Sequence, residues 1–258
     1  MELITSDTIS LISVCDDFKP SSVKAYFTTR IGGVSSGPYA SLNMSQATGD
    51  HHEVIQENEH LVYKAINAPM RRLVVRQVHH SDVYIDDGQL NGVAGNYDAI
   101  ISKYQDVLIQ TYHADCFPVY FYCDKTHTIG LAHAGWKGVY KDIVSKVVEA
   151  MCITYGAQAQ TMQVVIGPGI STAAYEVSDE LAVTFQNKYS DKVTRQLNNH
   201  WHLDLVACIS EQLEKLGIAR NLIVKPSYCT FTSEKLFFSH RRDGEKTGRM
   251  VAMMYLGY

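Results

Sequence analysis

Between Asp115 and Lys137 the chain runs through two seven-residue apolar segments, FPVYFYC and TIGLAHA, separated by the polar tetrapeptide DKTH. Two short runs rich in aromatic and aliphatic residues, joined by four polar ones, predict a buried β-hairpin. A hairpin returns the chain to where it left, so the residues at its two outer ends stand side by side. At one end is Asp115-Cys116 and at the other His133-Ala134-Gly135-Trp136. His79, in RQVHHSD, closes an earlier apolar run and is the third candidate. His, Cys and His form a donor set that zinc accepts, and three protein ligands leave a position open for water or substrate, as in catalytic zinc sites. No zinc-finger or H-E-x-x-H spacing is present, so any metal would be held by strand ends that the fold brings together. Singly, each residue has a plainer reading: a lone cysteine at a strand edge is usually core, and a lone histidine usually surface or core.

The rest of the chain sets the frame. With 258 residues, 46% of them hydrophobic, it can bury a substantial core. A formal charge of −4 without a basic stripe argues against a nucleic-acid or membrane-surface binder. The first residues lack the basic region of a signal peptide, and no later stretch is apolar for the roughly 20 residues of a membrane span. The six cysteines are scattered with no C-x-x-C pair, which predicts reduced thiols and a cytoplasmic protein. With no repeat or linker, the expectation is a single domain over residues 1–258, α/β or α+β, with a large mixed sheet covered by helices.

VKAYFTTR reads as a strand halted at Gly32-Gly33, with Arg30 at its end beside a loop that a ligand could approach. HEVIQENEHLVYKAI reads as a helix; LVVRQVHH, VYIDD, DAIIS and DVLIQTYHADC read as strands. Along an extended chain His79 and His80 point to opposite faces, so only one can join a given site. The glycines of DDGQLNGVAGNYD predict a loop that could form a rim over the site. GVYKDIVSKVVEAMCITYG predicts one helix, with Val139, Ile143, Val147 and Met151 four apart and Gly156 as its C-cap. Its start, just past HAGW, would be a favourable place for an anion. MQVVIGPG is a further strand. SDELAVTFQNKY and HLDLVACISEQLEKLG are helices, the first capped by Ser178. NLIVKP and the aromatic KLFFSH suggest strands, and a basic loop with Arg241, Arg242, Lys246 and Arg249 precedes a closing apolar strand. Those arginines suit either a solvated loop or, together with Arg30, an anion clamp.

The ordered series QVHHSDV, HADC, HAGWKG, YEVS, HLDL and FFSHRRDGEKTGRMVA strongly resembles the YfiH-like, or laccase-domain, family, from about TTRIGGVS and SLNMS to the C-terminus. The resemblance implies an αββα-layered fold related to a toxin deamidase domain, and a metal site at His79, Cys116 and His133. It also implies purine nucleoside chemistry: phosphorolysis of adenosine, inosine and methylthioadenosine, with deamination of adenosine. The other activities it suggests are copper-dependent phenol oxidation and an amidase acting on peptidoglycan precursors. Departures from the family pattern are His113 in place of Thr, Lys137 in place of Arg, Gly169 in Gly-Pro-Gly-Ile, and Cys229-Thr230-Phe231-Thr232. None of them touches the three metal positions.

The leading expectation is therefore a zinc-dependent purine nucleoside enzyme acting on small molecules, with Asp115, Cys116 and His133 catalytic. Asp115 would be the proton carrier, and Arg30, Asn43 and Arg241 or Arg242 would hold substrate and phosphate. The rivals are a metal-free hydrolase, with Cys116 as nucleophile and His133 as its base, and a copper oxidase. Copper binds such ligands more tightly than zinc. However, multicopper oxidation needs many histidines, and this chain has 11 with one H-x-H pair, His200 and His202. A metal-stabilised protein that binds nucleosides without turnover is the non-enzymatic alternative.

Overall fold

The computed structural model describes residues 1–19 and 22–257. The alternation of buried positions stacks two sheets face to face. The first has seven strands in the order β1 (Glu2–Ser6), β2 (Ile9–Ser13), β3 (Val23–Thr28), β16 (Met250–Leu256), β8 (Val107–His113), β4 (Arg71–Arg76) and β6 (Gly92–Asn96). The second has six: β15 (Ile223–Val224), β11 (Gln163–Ile166), β9 (Phe117–Cys123), β10 (Thr128–Ala134), β7 (Ala99–Ser102) and β5 (Val83–Ile85). Both are mixed: β4 runs parallel to β8 and β6, β5 to β7, and β11 to β15, while the other pairs are antiparallel. A small third sheet joins β12 (Glu176–Val177), β14 (His200–Leu203) and β13 (Thr194–Leu197).

Period-two alternation decides the layering. Ile109, Ala252 and Met254 of the first sheet face Tyr120, Tyr122, Ile129 and Leu131 of the second. The other side of the second sheet, with Val119, Phe121 and Ala132, is covered by Val147 and Met151 of α3 (Ile143–Tyr155) and Ile209 and Leu213 of α5 (Leu205–Lys215). The outer side of the first sheet, with Leu108, Val251 and Met253, packs on Val62 and Tyr63 of α1 (His52–Ala65). The protein is thus a single α/β domain of αββα layering, as the family resemblance implied. β9 and β10 are buried along their whole length because each face meets a different core. The tyrosines there satisfy their hydroxyls: Tyr120 donates to the Tyr26 carbonyl at 2.9 Å and Tyr122 to Asp124 at 2.8 Å.

Four local expectations need correction. The helix predicted after HAGW is two helices, α2 (Trp136–Tyr140) and α3, broken at Asp142, whose φ of 62° is left-handed. Five residues make too short a segment for the anion site expected at its start. KLFFSH is not a strand: Leu236 and Phe237 donate their N–H groups to Ser233, and the chain then enters the short helix α6 (His240–Asp243). Strand β4 stops at Arg76, so His79 and His80 lie in a turn and not at a strand end. The glycine-rich stretch expected to be loop contains the edge strand β6; the opposite edge is formed by the hairpin β1–β2, which was not expected. Helix α4 (Asp179–Lys188) does start as predicted, with Ser178 accepting from the Leu181 N–H.

Candidate active site and metal centre

The β9–β10 register pairs Pro118 with His133 and Phe117 with Ala134, which sets Cys116 opposite Gly135 just beyond the pairing. His79 arrives from the turn after β4. The ligand atoms of His79, Cys116 and His133 all lie within 4.8 Å of one another, and the two imidazole rings meet edge to face at 4.9 Å. These three residues can hold a metal. Gly135 leaves the room: a Cβ there would lie 2.8 Å from Cys116 Sγ and 3.4 Å from His79 Cδ2.

The turn that delivers His79 is built around Asp98, fully buried just before β7. Its Oδ2 accepts from the N–H groups of Val78 (3.1 Å) and His80 (2.8 Å), and its Oδ1 from the N–H of His79 (3.0 Å). Three successive N–H groups converge because His79 adopts a left-handed φ of 57°. The same Oδ1 takes His133 Nδ1 at 2.9 Å. Burial alone would push the Asp98 carboxyl up, but His133 and the N–H groups of His80 and Val78 outweigh it and hold it below the usual carboxylate range. With Nδ1 committed to Asp98, His133 presents Nε2 toward the thiol, the arrangement that orients a metal-binding imidazole.

Electrostatics favours the ligand forms. Burial would raise the Cys116 thiol, but His133 and His79 beside it outweigh burial and bring it down. Burial disfavours a charged His133, yet the Cys116 thiolate and Asp98 raise it above the ordinary histidine value. His113, the departure from the family pattern, lies beneath the site: its ring is 5.3 Å from that of His133, with Nδ1 3.0 Å from the Cys116 carbonyl and Nε2 2.8 Å from Thr111 Oγ1. Burial holds its imidazole well below the ordinary value. Both ring nitrogens are occupied, so His113 buttresses the centre.

The three residues open into a cavity of about 690 Å³, also lined by Ser45, Glu59, Arg76, Tyr112, His240 and Arg249. Rim residues Gly92 and Val93 come from β6, within the stretch expected to overhang the site. Other expected site residues stand off this wall. Both Asp115 oxygens are engaged, accepting from Thr230 Oγ1 and the Arg241 N–H at 2.7 Å each. Arg242 spends its guanidinium on the carbonyls of Thr230, Phe231 and Phe237 and on Asp243. Arg241 donates to the Glu176 carbonyl over the Tyr175 ring, and Arg30 to the Ala40 and Glu234 carbonyls over Phe238. Asn43 is fully buried; its Oδ1 accepts the Arg249 N–H at 2.9 Å. Arg249 itself reaches the cavity, and among the described residues its Nε and Nη2 have no partner; Nη1 donates to Thr247 and Gly248.

Comparison with known proteins shows the family. The family model described as multi-copper polyphenol oxidoreductase laccase matches residues 24–257. The chain belongs to this YfiH-like, laccase-domain family. It is 32% identical over 248 residues to purine nucleoside phosphorylase SSP1584 of Staphylococcus saprophyticus, covering 90% of this chain and 92% of that one. It is 34% identical over 230 residues to a purine nucleoside phosphorylase of Deinococcus radiodurans (89% and 88% covered). With purine nucleoside phosphorylase YfiH of Escherichia coli the identity is 30% over 241 residues (92% and 96%). Among solved structures, YfiH of Bacillus licheniformis superposes with a TM-score of 0.89 at 28% identity, covering 98% of both chains. YlmD of Geobacillus stearothermophilus superposes at 0.85 and 30% identity, covering 92% of this chain and 93% of that one. Among the described residues of this YfiH-like chain, no helix is long and apolar enough to cross a membrane.

Sequence reasoning passed over Asp98, Glu59 and His240, and did not single out Arg249 from its basic loop. Only Arg249 had a usable signal, since it stands one residue before the strand that closes the first sheet.

Proposed function

We propose that this chain is a zinc-dependent purine nucleoside phosphorylase that also deaminates adenosine, with His79, Cys116 and His133 as metal ligands. The observation that carries the reading is the three-donor set in the wall of a cavity that also presents the unpaired part of the Arg249 guanidinium. The donors fit zinc: a thiol already shifted toward thiolate, and an imidazole whose outer nitrogen is fixed by a carboxylate. A zinc ion held there supplies Lewis acidity at the reacting end of the cavity.

In phosphorolysis a phosphate oxygen bonds to C1′ of the ribose while the bond from C1′ to the base breaks, and the base leaves with the electron pair and takes up a proton. Of the two arginines on this wall, Arg76 and Arg249, Arg249 is assigned the phosphate, since it lies beside Cys116 and half of its planar fork is free. Asn43 fixes the backbone on which that arginine sits. Asp115 acts through position: by binding Thr230 and the Arg241 N–H it ties the C-terminal loop to the strand end that carries Cys116. Residues of β4, β6 and β8 form one wall of the site.

The test is release of hypoxanthine from inosine, measured with and without phosphate, alongside metal content. About one zinc per chain and strictly phosphate-dependent release, both lost in Cys116→Ala, is the expected result. Metal-free protein that leaves inosine intact would overturn the reading.

One observation favours a second reading. Cys116, His133 and Asp98 form a thiol–imidazole–carboxylate chain, which a cysteine hydrolase uses without metal. It predicts covalent trapping of Cys116 and an activity indifferent to chelators. For copper oxidation, the described residues offer one three-donor group, enough for a single ion.

A further inference from the structure

The cavity wall carries a polar group that none of the steps above uses. Glu59 of α1 lines the cavity together with Val74 of β4, Val93 of β6 and Tyr112 of β8. Its side chain is half-buried, and among the described residues it makes no hydrogen bond and no ion pair. The charges that bear on Glu59 are those of Arg72 and His52, whereas those bearing on Arg249 are Asp115, Cys116 and Tyr39. Burial pushes the Glu59 carboxyl up, against the pull of Arg72 and His52.

We infer that the Glu59 carboxyl holds the six-membered-ring edge of the purine, accepting from an N–H at position 1 or at position 6 while the sugar points toward Arg249. The orientation rests on the phosphorolysis reading, which sets phosphate and C1′ at Arg249. The walls suit a base better than a sugar: Val74, Val93 and Tyr112 offer apolar and aromatic surface to the ring faces, where ribose hydroxyls would be left unpaired. The carboxyl suits the base edge. A carboxyl oxygen accepts a hydrogen bond from an N–H. A 6-oxopurine shows N–H at position 1 and oxygen at position 6; a 6-aminopurine shows bare nitrogen at position 1 and NH₂ at position 6. Each therefore offers the carboxyl an N–H, at position 1 or at position 6, so one residue explains a site that accepts both.

The experiment measures binding and phosphorolysis of inosine, adenosine and purine riboside, which has no substituent at position 6, by the wild type, Glu59→Gln and Glu59→Met. The Gln amide keeps an acceptor oxygen, so its affinities stay within about threefold of the wild type. Met removes the acceptor, and inosine and adenosine lose about tenfold to a hundredfold. Purine riboside loses several-fold less, and the phosphate KM stays unchanged. Equal losses for all three nucleosides, or no loss, overturn the contact; Glu59→Ala serves if the Met variant does not fold. Wild-type protein that binds nucleosides but releases no base with phosphate sinks the phosphorolysis reading alone, and the binding pattern still decides the contact. No nucleoside binding by the wild type overturns both.

Discussion

Asp98 Oδ1 accepts two hydrogen bonds at once, from the His133 ring at 2.9 Å and from the backbone N–H of His79 at 3.0 Å. One buried oxygen thus fixes the orientation of one ligand and the position of another. The geometry of the three-donor set depends on a residue that donates nothing to a metal.

Asp98→Asn tests this dependence. The amide keeps one acceptor oxygen but turns an NH₂ toward donors that need an acceptor, so His133 or the His79 turn is left unpaired. Metal affinity is expected to fall about 10–100-fold, with a stability loss of about 1–3 kcal/mol. Competition with a chelator and denaturant unfolding measure the two separately. Metal retention equal to that of the wild type would remove Asp98 from the account.

Gly135→Ala separates the site from the fold. The φ at Gly135 is −81°, which any residue adopts, so the cost is steric and local. The added methyl would lie 2.8 Å from Cys116 Sγ and must push the thiol aside. The variant should unfold within a few degrees of the wild type and yet retain little metal. A variant that keeps full metal content would show that the thiol can give way without losing the ion.

How much of this was legible in the sequence follows from the range of the interactions. The hairpin was legible because its two apolar runs and polar turn are contiguous, and its register alone brings Cys116 to His133. The break at Asp142 was hidden because Val139 and Ile143 remain four apart across it, and both α2 and α3 face the same core. KLFFSH has the composition of a strand, but Phe237 and Phe238 fill the space between the sheets from a turn, without a partner strand. Asp98 left no mark, because its partners are backbone N–H groups of a turn 18 to 20 residues away. The arginines could not be ranked either: Arg30, Arg241, Arg242 and Arg249 all flank glycines or turns, and only the partners of each guanidinium distinguish them.

That distinction makes a paired prediction. Arg249→Met removes the guanidinium from the cavity and should raise the phosphate KM by about tenfold or more, with a smaller fall in melting than Arg242→Met because fewer carbonyls lose their donor. Arg242→Met leaves the carbonyls of Thr230, Phe231 and Phe237 without their donor, and should lower the melting temperature while the phosphate KM in the surviving fold stays near that of the wild type. Steady-state kinetics with varied phosphate, run beside thermal unfolding, read both. The reverse pattern would return the phosphate role to Arg242.

The last prediction concerns acid stability, away from the site. Asp86 is 3% exposed and accepts from Arg71 Nη1 and Nη2 at 2.9 Å each, from Ser102 Oγ at 2.7 Å and from the Gly88 N–H at 2.9 Å. Burial pushes its carboxyl up, but Arg71, Ser102 and Gly88 together outweigh burial and hold it below the ordinary aspartate value. A carboxyl whose folded value is depressed stabilises the fold above its unfolded value, and that contribution is lost as pH falls through the folded value. The wild type should therefore keep this contribution at neutral pH and lose it only at strongly acid pH. In Arg71→Met the carboxylate stays buried without its cation. The cost near neutral pH is expected to be about 3–5 kcal/mol, and the Asp86 value moves upward, so lowering the pH through the weakly acid range narrows the gap to the wild type by protonating the orphaned group. Denaturant unfolding at a series of pH values measures this. A gap that widens as the pH falls would show that Arg71 does not stabilise the fold through Asp86.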